Sequence, residues 1–405
     1  MKTALPVKGN IGILSQSTLL WIALSFATLD FTLYCLNPLQ YIHTFAYMPL
    51  SRNPLVSKIP QFLHSSEDPE VLIMGCSLPQ MSVAFYDADR FNSVDSSDIQ
   101  MMRQYTKALY LEELLKKKIK KNLHVFNLTS SGAMASDEAS ILKKLLEFDK
   151  HPRVIVFGIG PRTFFDNTYP RKTAVTEILE KQRTLKDLYR ADLSWEERRE
   201  ILLGYLSNFY RERSDYRNFL VKYICNKANR EPSIYLVQQK FAAQEALGSE
   251  RDQPAITTTT GIATTTFGLL KNQEGKGHQN PRAFNADLAL YNMRYNPPDF
   301  ERFDFELSGL KTLLETCRKA KIKILVVDMP RTNANEALLD KQILMRYRND
   351  IPRLVKSFEE ASYLNLNDGR TCNIEDFIDS VHCNSSGGKK VQDRLAEHIS
   401  GKNWM

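Results

Sequence analysis

The sequence predicts an α/β protein: a doubly wound parallel sheet, split by a long helical insertion and preceded by an N-terminal membrane anchor. Three observations carry this expectation. Apolar runs of strand length recur at Val71–Met74, His124–Leu128, Val154–Gly158 and Ile322–Asp328, separated by longer segments with helical spacing. The stretch from about 172 to 247 is charged and helical in period, with no strand signal. Ile11–Leu36 is the most apolar long run in the chain and is long enough to cross a bilayer.

The first strand ends in Gly75-Cys76-Ser77, where glycine permits a sharp turn. A helix is expected around Tyr105–Lys121, with Leu111, Leu114, Leu115 and Ile119 near helical spacing. The second strand runs into the polar turn Thr129-Ser130-Ser131-Gly132, and Ser136-Asp137 open the next helix. The third strand leads into Gly160-Pro161-Arg162-Thr163-Phe164-Phe165-Asp166-Asn167. Three strands separated by helices favour right-handed parallel crossovers. After the insertion the pattern resumes: a helix at 304–320, a strand at 322–328, a helix at 338–360, a short strand at 362–366 and a closing helix at 387–400. The domains read as an anchor at 1–40, a Pro-rich linker at 41–70, an α/β domain at 71–170 and 301–405, and an insertion at 171–300. Within the insertion, the Thr-rich, low-complexity residues 250–283 are expected to form a mobile loop.

With 405 residues, 43% hydrophobic and 25% charged, the chain has ordinary globular composition. The net charge of +7 gives mild attraction to anionic surfaces. Much of it sits in Lys116–Lys118 and Lys120–Lys121, which read as a solvated helix end; no aromatic interleaving supports nucleic-acid binding. Lys2 and Lys8 precede the apolar run, so the N-terminus is expected in the cytoplasm and the main domain outside the cytoplasmic membrane, as a single-pass protein. Asp30 works against this, and the alternative is a helix packed on protein. The six cysteines show no CxxC and no zinc spacing, and Asp328 has no partner cluster, so neither metal nor cofactor is expected. Cys372 and Cys383 either bridge the loop that lies between them or remain free thiols.

The polar residues of the strand ends carry the candidate chemistry. Ser77 follows the first strand, and Asp379 and His382 lie three residues apart before the last helix. A serine nucleophile needs a base within hydrogen-bond reach, and the base needs a carboxylate to set its tautomer. Backbone N–H groups at Ser77 and Gly132 are candidate oxyanion donors. Each group has a plain structural alternative: Ser77 as a helix cap, His382 as a surface residue, Arg162 as the ion-pair partner of Asp166.

This order of elements resembles the SGNH/GDSL hydrolases over about 70–170 and 320–400. Gly75-Cys76-Ser77 stands where that family has Gly-Asp-Ser, Gly132 resembles its oxyanion glycine, and Asp379 and His382 resemble its triad partners. The family's Gly-x-Asn-Asp is replaced by Gly158-Ile159-Gly160-Pro161-Arg162, which leaves Arg162, or secondarily Asn167, to stand in for the asparagine. An anchor joined to a divergent SGNH-like domain is similar to the D-alanine transfer protein of teichoic acid synthesis, to alginate O-acetylation proteins and to an uncharacterised cyanobacterial family. The resemblance implies an envelope-anchored serine esterase or O-acyltransferase acting on an acylated cell-surface polymer or an acyl donor, alongside a membrane-bound acyltransferase. The alternative is a noncatalytic SGNH-like module that binds such a polymer or scaffolds an acyltransferase complex.

Overall fold

The computed structural model describes residues 11–36, 54–63, 65, 68–168, 175, 179, 188–189, 195–213, 216, 281–402 and 404–405. The chain divides into two units, Met1–Ser51 with Glu180–Ser233, and Arg52–Leu179 with Ile234–Met405.

The larger unit is built on the expected sheet. Its main elements are α1 (Pro54–Leu63), β1 (Val71–Gly75), α2 (Ser77–Phe91), α3 (Leu109–Ile119), β2 (Val125–Asn127), α4 (Ala135–Glu147) and β3 (Val154–Ile159). Then come α5 (Pro281–Tyr295), α6 (Phe300–Ala320), β4 (Lys323–Asp328), α7 (Lys341–Lys356), β5 (Ala361–Asn365) and α8 (Ser385–Gly401). The five strands are all parallel in the order β2-β1-β3-β4-β5. Strands β1, β2 and β3 are buried along their whole length, which is why they read as continuous apolar runs rather than alternating ones. Helix α6 packs against α4 and α7, and α8 packs against α2 and α3.

The chain leaves β1 to one side for β2 and returns on the other side for β3. A doubly wound sheet opens a crevice at such a reversal, beyond the carboxyl ends of the strands. Ser77, two residues past the end of β1, stands there. Gly75 makes the approach possible. Its φ is +121°, and a Cβ placed on it would lie 2.3 Å from the Gly158 carbonyl oxygen. Gly75→Ala is therefore expected to destabilise the protein by about 2–6 kcal/mol, combining backbone strain with overpacking. Urea unfolding of the variant with a midpoint equal to the parent's would contradict this.

Several expectations need correction. The linker expected over 41–70 contains α1, which buries Leu55, Lys58, Ile59 and Phe62 in the α/β unit. Leu55, Ile59 and Phe62 recur at helical spacing, and Pro54 sits at the helix start where its missing N–H is harmless. Helix α2 is the helix that the structural alternative for Ser77 implies; Pro79 falls in its first turn, where a proline is tolerated. Residues 250–280 lie outside the described residues, but 281–283 begin α5, so the expected loop ends earlier than 283. Residues 281–295, assigned to the insertion, belong to the α/β unit.

In the smaller unit, Ile11–Leu36 is one helix. No helix among the described residues is long and apolar enough to cross a membrane, so the anchor expected at 1–40 is without support here. Asp30, mid-helix, accepts hydrogen bonds from the Ser207 hydroxyl and from the Asn208 and Phe209 amides. Phe26 packs edge-on against Phe209.

Candidate active site

Helix α2 begins at Ser77, with Cys76 as its extended N-cap. Ser77 is thus the first helical residue, and its hydroxyl does not cap the helix. It lies 2.8 Å from Nε2 of His382 instead. His382 Nδ1 lies 2.6 Å from Asp379 Oδ2. The Asp379 carboxylate can only accept, so Nδ1 carries the proton, and Nε2 is left to accept from the serine hydroxyl. The structure brings together all three residues of the expected relay, across 305 positions of chain. All three are buried, Ser77 at 7% and His382 at 9% exposure.

A tight turn sets the Asp/His geometry. Asp379 Oδ1 accepts from the Val381 and His382 amides at 2.9 and 2.7 Å. The turn closes with the Ile378 amide on the His382 carbonyl and a bridge between Phe377 and Cys383. Burial pushes the Asp379 carboxyl up, but His382 and these N–H bonds outweigh it and hold it below the usual carboxylate range.

Sequence reasoning missed the groups that brace this turn. The Thr332 amide and hydroxyl both donate to the Ser380 carbonyl. Asn335 donates to the Ser380 hydroxyl at 3.0 Å. Asp287, from α5, accepts from the Ser380 amide at 3.0 Å and from its hydroxyl. Burial and the nearby Asp379 carboxylate push Asp287 up to about 6. Nothing local in 281–295 signals that role; only the fold brings the helix to residue 380.

The oxyanion candidates separate into two pairs. The Ser77 amide stands at the N-terminus of α2, where the helix dipole favours negative charge. Gly132, at φ +82°, lies in the turn after β2, and the Ser130 amide of that turn donates to the Gly75 carbonyl at 2.9 Å. The turn and the serine elbow are thereby tied together. Arg162 and Asn167 serve the third loop. Arg162 Nε lies 2.5 Å from Asp166, which Arg294 also approaches at 3.7 Å. Asn167 is exposed and donates its side-chain amide to the Pro297 carbonyl at 2.7 Å. The Arg162–Asp166 contact is the ion pair given above as the structural alternative for Arg162. Burial pushes Asp166 up, and the two arginines more than reverse it. Arg162→Gln should lower stability by about 2–3 kcal/mol, less than for an isolated buried charge because Arg294 remains. A thermal melt matching the parent's would rule out the structural role.

Cys76, the residue before Ser77, is buried, and that burial pushes its thiol up despite the Leu78 amide and the Arg162 charge. A thiol held in its neutral form is a poor nucleophile, which weighs against Cys76 in that role. Cys372 and Cys383 are free thiols in contact with each other. Asp328 is engaged by Arg331 at 2.7 Å and by the Tyr347 hydroxyl at 2.6 Å.

The arrangement can therefore deprotonate a serine hydroxyl at a sheet edge, beside a helix N-terminus and a glycine turn. No protein-family model matches the chain and no curated protein matches it, so these residues and their geometry are the basis for reading its chemistry.

Proposed function

We propose that this protein is a serine-dependent esterase or O-acyltransferase with the SGNH-like three-layer arrangement. The hydrogen-bonded series Ser77–His382–Asp379 at the sheet's switch point carries the reading. His382 takes the Ser77 proton as the serine oxygen attacks an ester carbonyl. The oxyanion is met by the Ser77 and Gly132 amides, and Asp379 stabilises the imidazolium. The alcohol leaves with the proton held on His382, and the acyl-serine passes its acyl group to water or to a sugar hydroxyl. The test is covalent labelling by a fluorophosphonate, located by mass spectrometry, together with hydrolysis of an activated acetyl ester. Labelling at Ser77 supports the reading; an inert Ser77 in folded protein removes it.

The resemblance to envelope acyl-transfer proteins supports an acylated surface polymer as substrate. An extracytoplasmic setting belongs to the same proposal and rests on Lys2 and Lys8 ahead of the apolar stretch Ile11–Leu36. A reporter active only outside the cytoplasm, fused after Met405, is then expected to be on, and the opposite result would end that part of the proposal.

The engagement of Arg162 by Asp166 and of Asn167 by the Pro297 carbonyl favours a second reading, a polymer-binding module without turnover. Loss of esterase activity with retained binding of an acylated polysaccharide would select it.

A further inference from the structure

Lys58 is completely buried, as is Glu138. Two ionisable groups removed from water are electrostatically unfavourable, and a well-packed apolar pair in their place is often as stable or more so. What the two side chains hold is therefore informative. Lys58, from α1, donates through Nζ to the Thr129 carbonyl at 3.0 Å. Thr129 opens the turn that carries Gly132. Glu138, from α4, accepts from the Gly75 amide at 3.0 Å through Oε1. Gly75 is two residues before Ser77. The two side chains thus hold the backbones of the two loops that flank Ser77, and the Ser130 amide joins those loops to each other at the Gly75 carbonyl.

Their environment fits a pair held for position. Burial pulls Lys58 down to about 7, with Glu138 opposing, and pushes Glu138 up to about 8. Glu138 Oε2 is buried with no hydrogen-bond partner among the described residues. A pair of this kind, made only to stabilise, would be poorly built; one made to fix two backbone groups needs only the two bonds it has.

We propose that Lys58 and Glu138 are positioning residues for the acyl-transfer site: they set the distance between the Ser77 elbow and the Gly132 turn, and hence the oxyanion pocket. The inference rests on Ser77 being the nucleophile. Displacements of about 1 Å in such a pocket lower turnover by roughly a hundredfold while leaving substrate binding nearly intact.

Two double variants test it, both removing the charges together so that no lone buried charge remains. Lys58→Met with Glu138→Gln keeps an acceptor for the Gly75 amide and loses the Thr129 contact. It is expected to lose about tenfold in kcat with KM unchanged. Lys58→Met with Glu138→Leu loses both contacts and is expected to lose about a hundredfold in kcat, again at constant KM. Melting temperature and fluorophosphonate labelling rate are followed in parallel. Either variant, folded and with parental kcat, overturns the proposal, as does a loss confined to KM. If the Leu variant does not fold, the Gln variant alone decides. A parent that fails to label at Ser77 overturns the nucleophile reading and this inference with it, whereas a labelled parent with unaffected variants overturns this inference only.

Discussion

Ser77→Ala is expected to lower kcat on an activated acetyl ester by several powers of ten while leaving the protein folded. Losing the nucleophile removes the acyl-enzyme route and leaves only what the oxyanion donors and binding supply. The hydroxyl's other role is a single hydrogen bond to His382 Nε2, so its loss should shift stability by only about 1 kcal/mol. Circular dichroism and a thermal melt separate the two effects. Activity within tenfold of the parent would exclude Ser77 as nucleophile and move attention away from the relay as a whole.

The parts of this site that could be read from sequence are those whose signals are local. The buried strands β1, β3 and β4 show as apolar runs because both their faces are covered. Ser77 and the Asp379–His382 pair show as polar groups next to structured segments. The parts that could not be read depend on contacts made across the fold. Lys58 looks like an ordinary surface lysine in a Pro-rich stretch, and only its Thr129 contact reveals otherwise. Asp287 lies after a low-complexity region and acquires its role when α5 packs against residue 380. Arg162 was open between oxyanion donor and ion-pair partner because a guanidinium suits both; the pairing with Asp166, four residues on in the same loop, is a matter of backbone path. The apolar run Ile11–Leu36 illustrates the opposite difficulty. Its composition predicts an anchor, and only the folded chain shows that its one carboxylate, Asp30, is met by three donors from residues 207–209.

Asp379→Asn is expected to lower kcat by about four powers of ten at neutral pH, for a reason specific to this turn. Asp379 Oδ1 receives two backbone amides, from Val381 and His382. An asparagine must place its carbonyl oxygen there, because an NH2 group cannot accept those bonds. Its NH2 then faces His382 Nδ1 at the position of Oδ2, 2.6 Å away in the parent. The imidazole can answer only by accepting at Nδ1, which puts its proton on Nε2, facing Ser77. A ring in that tautomer cannot take the serine's proton. The stability of the variant gives an independent check. Asp379 is held below the ordinary carboxylate value of 3.8, so its interactions stabilise the parent fully above that pH and are lost as pH falls through the lower, folded value. The difference in urea stability between parent and variant should therefore be largest near neutrality and shrink in acid below about pH 4. A variant retaining activity within tenfold of the parent, or a stability difference that grows on acidification, would mean that Asp379 does not set the tautomer of His382.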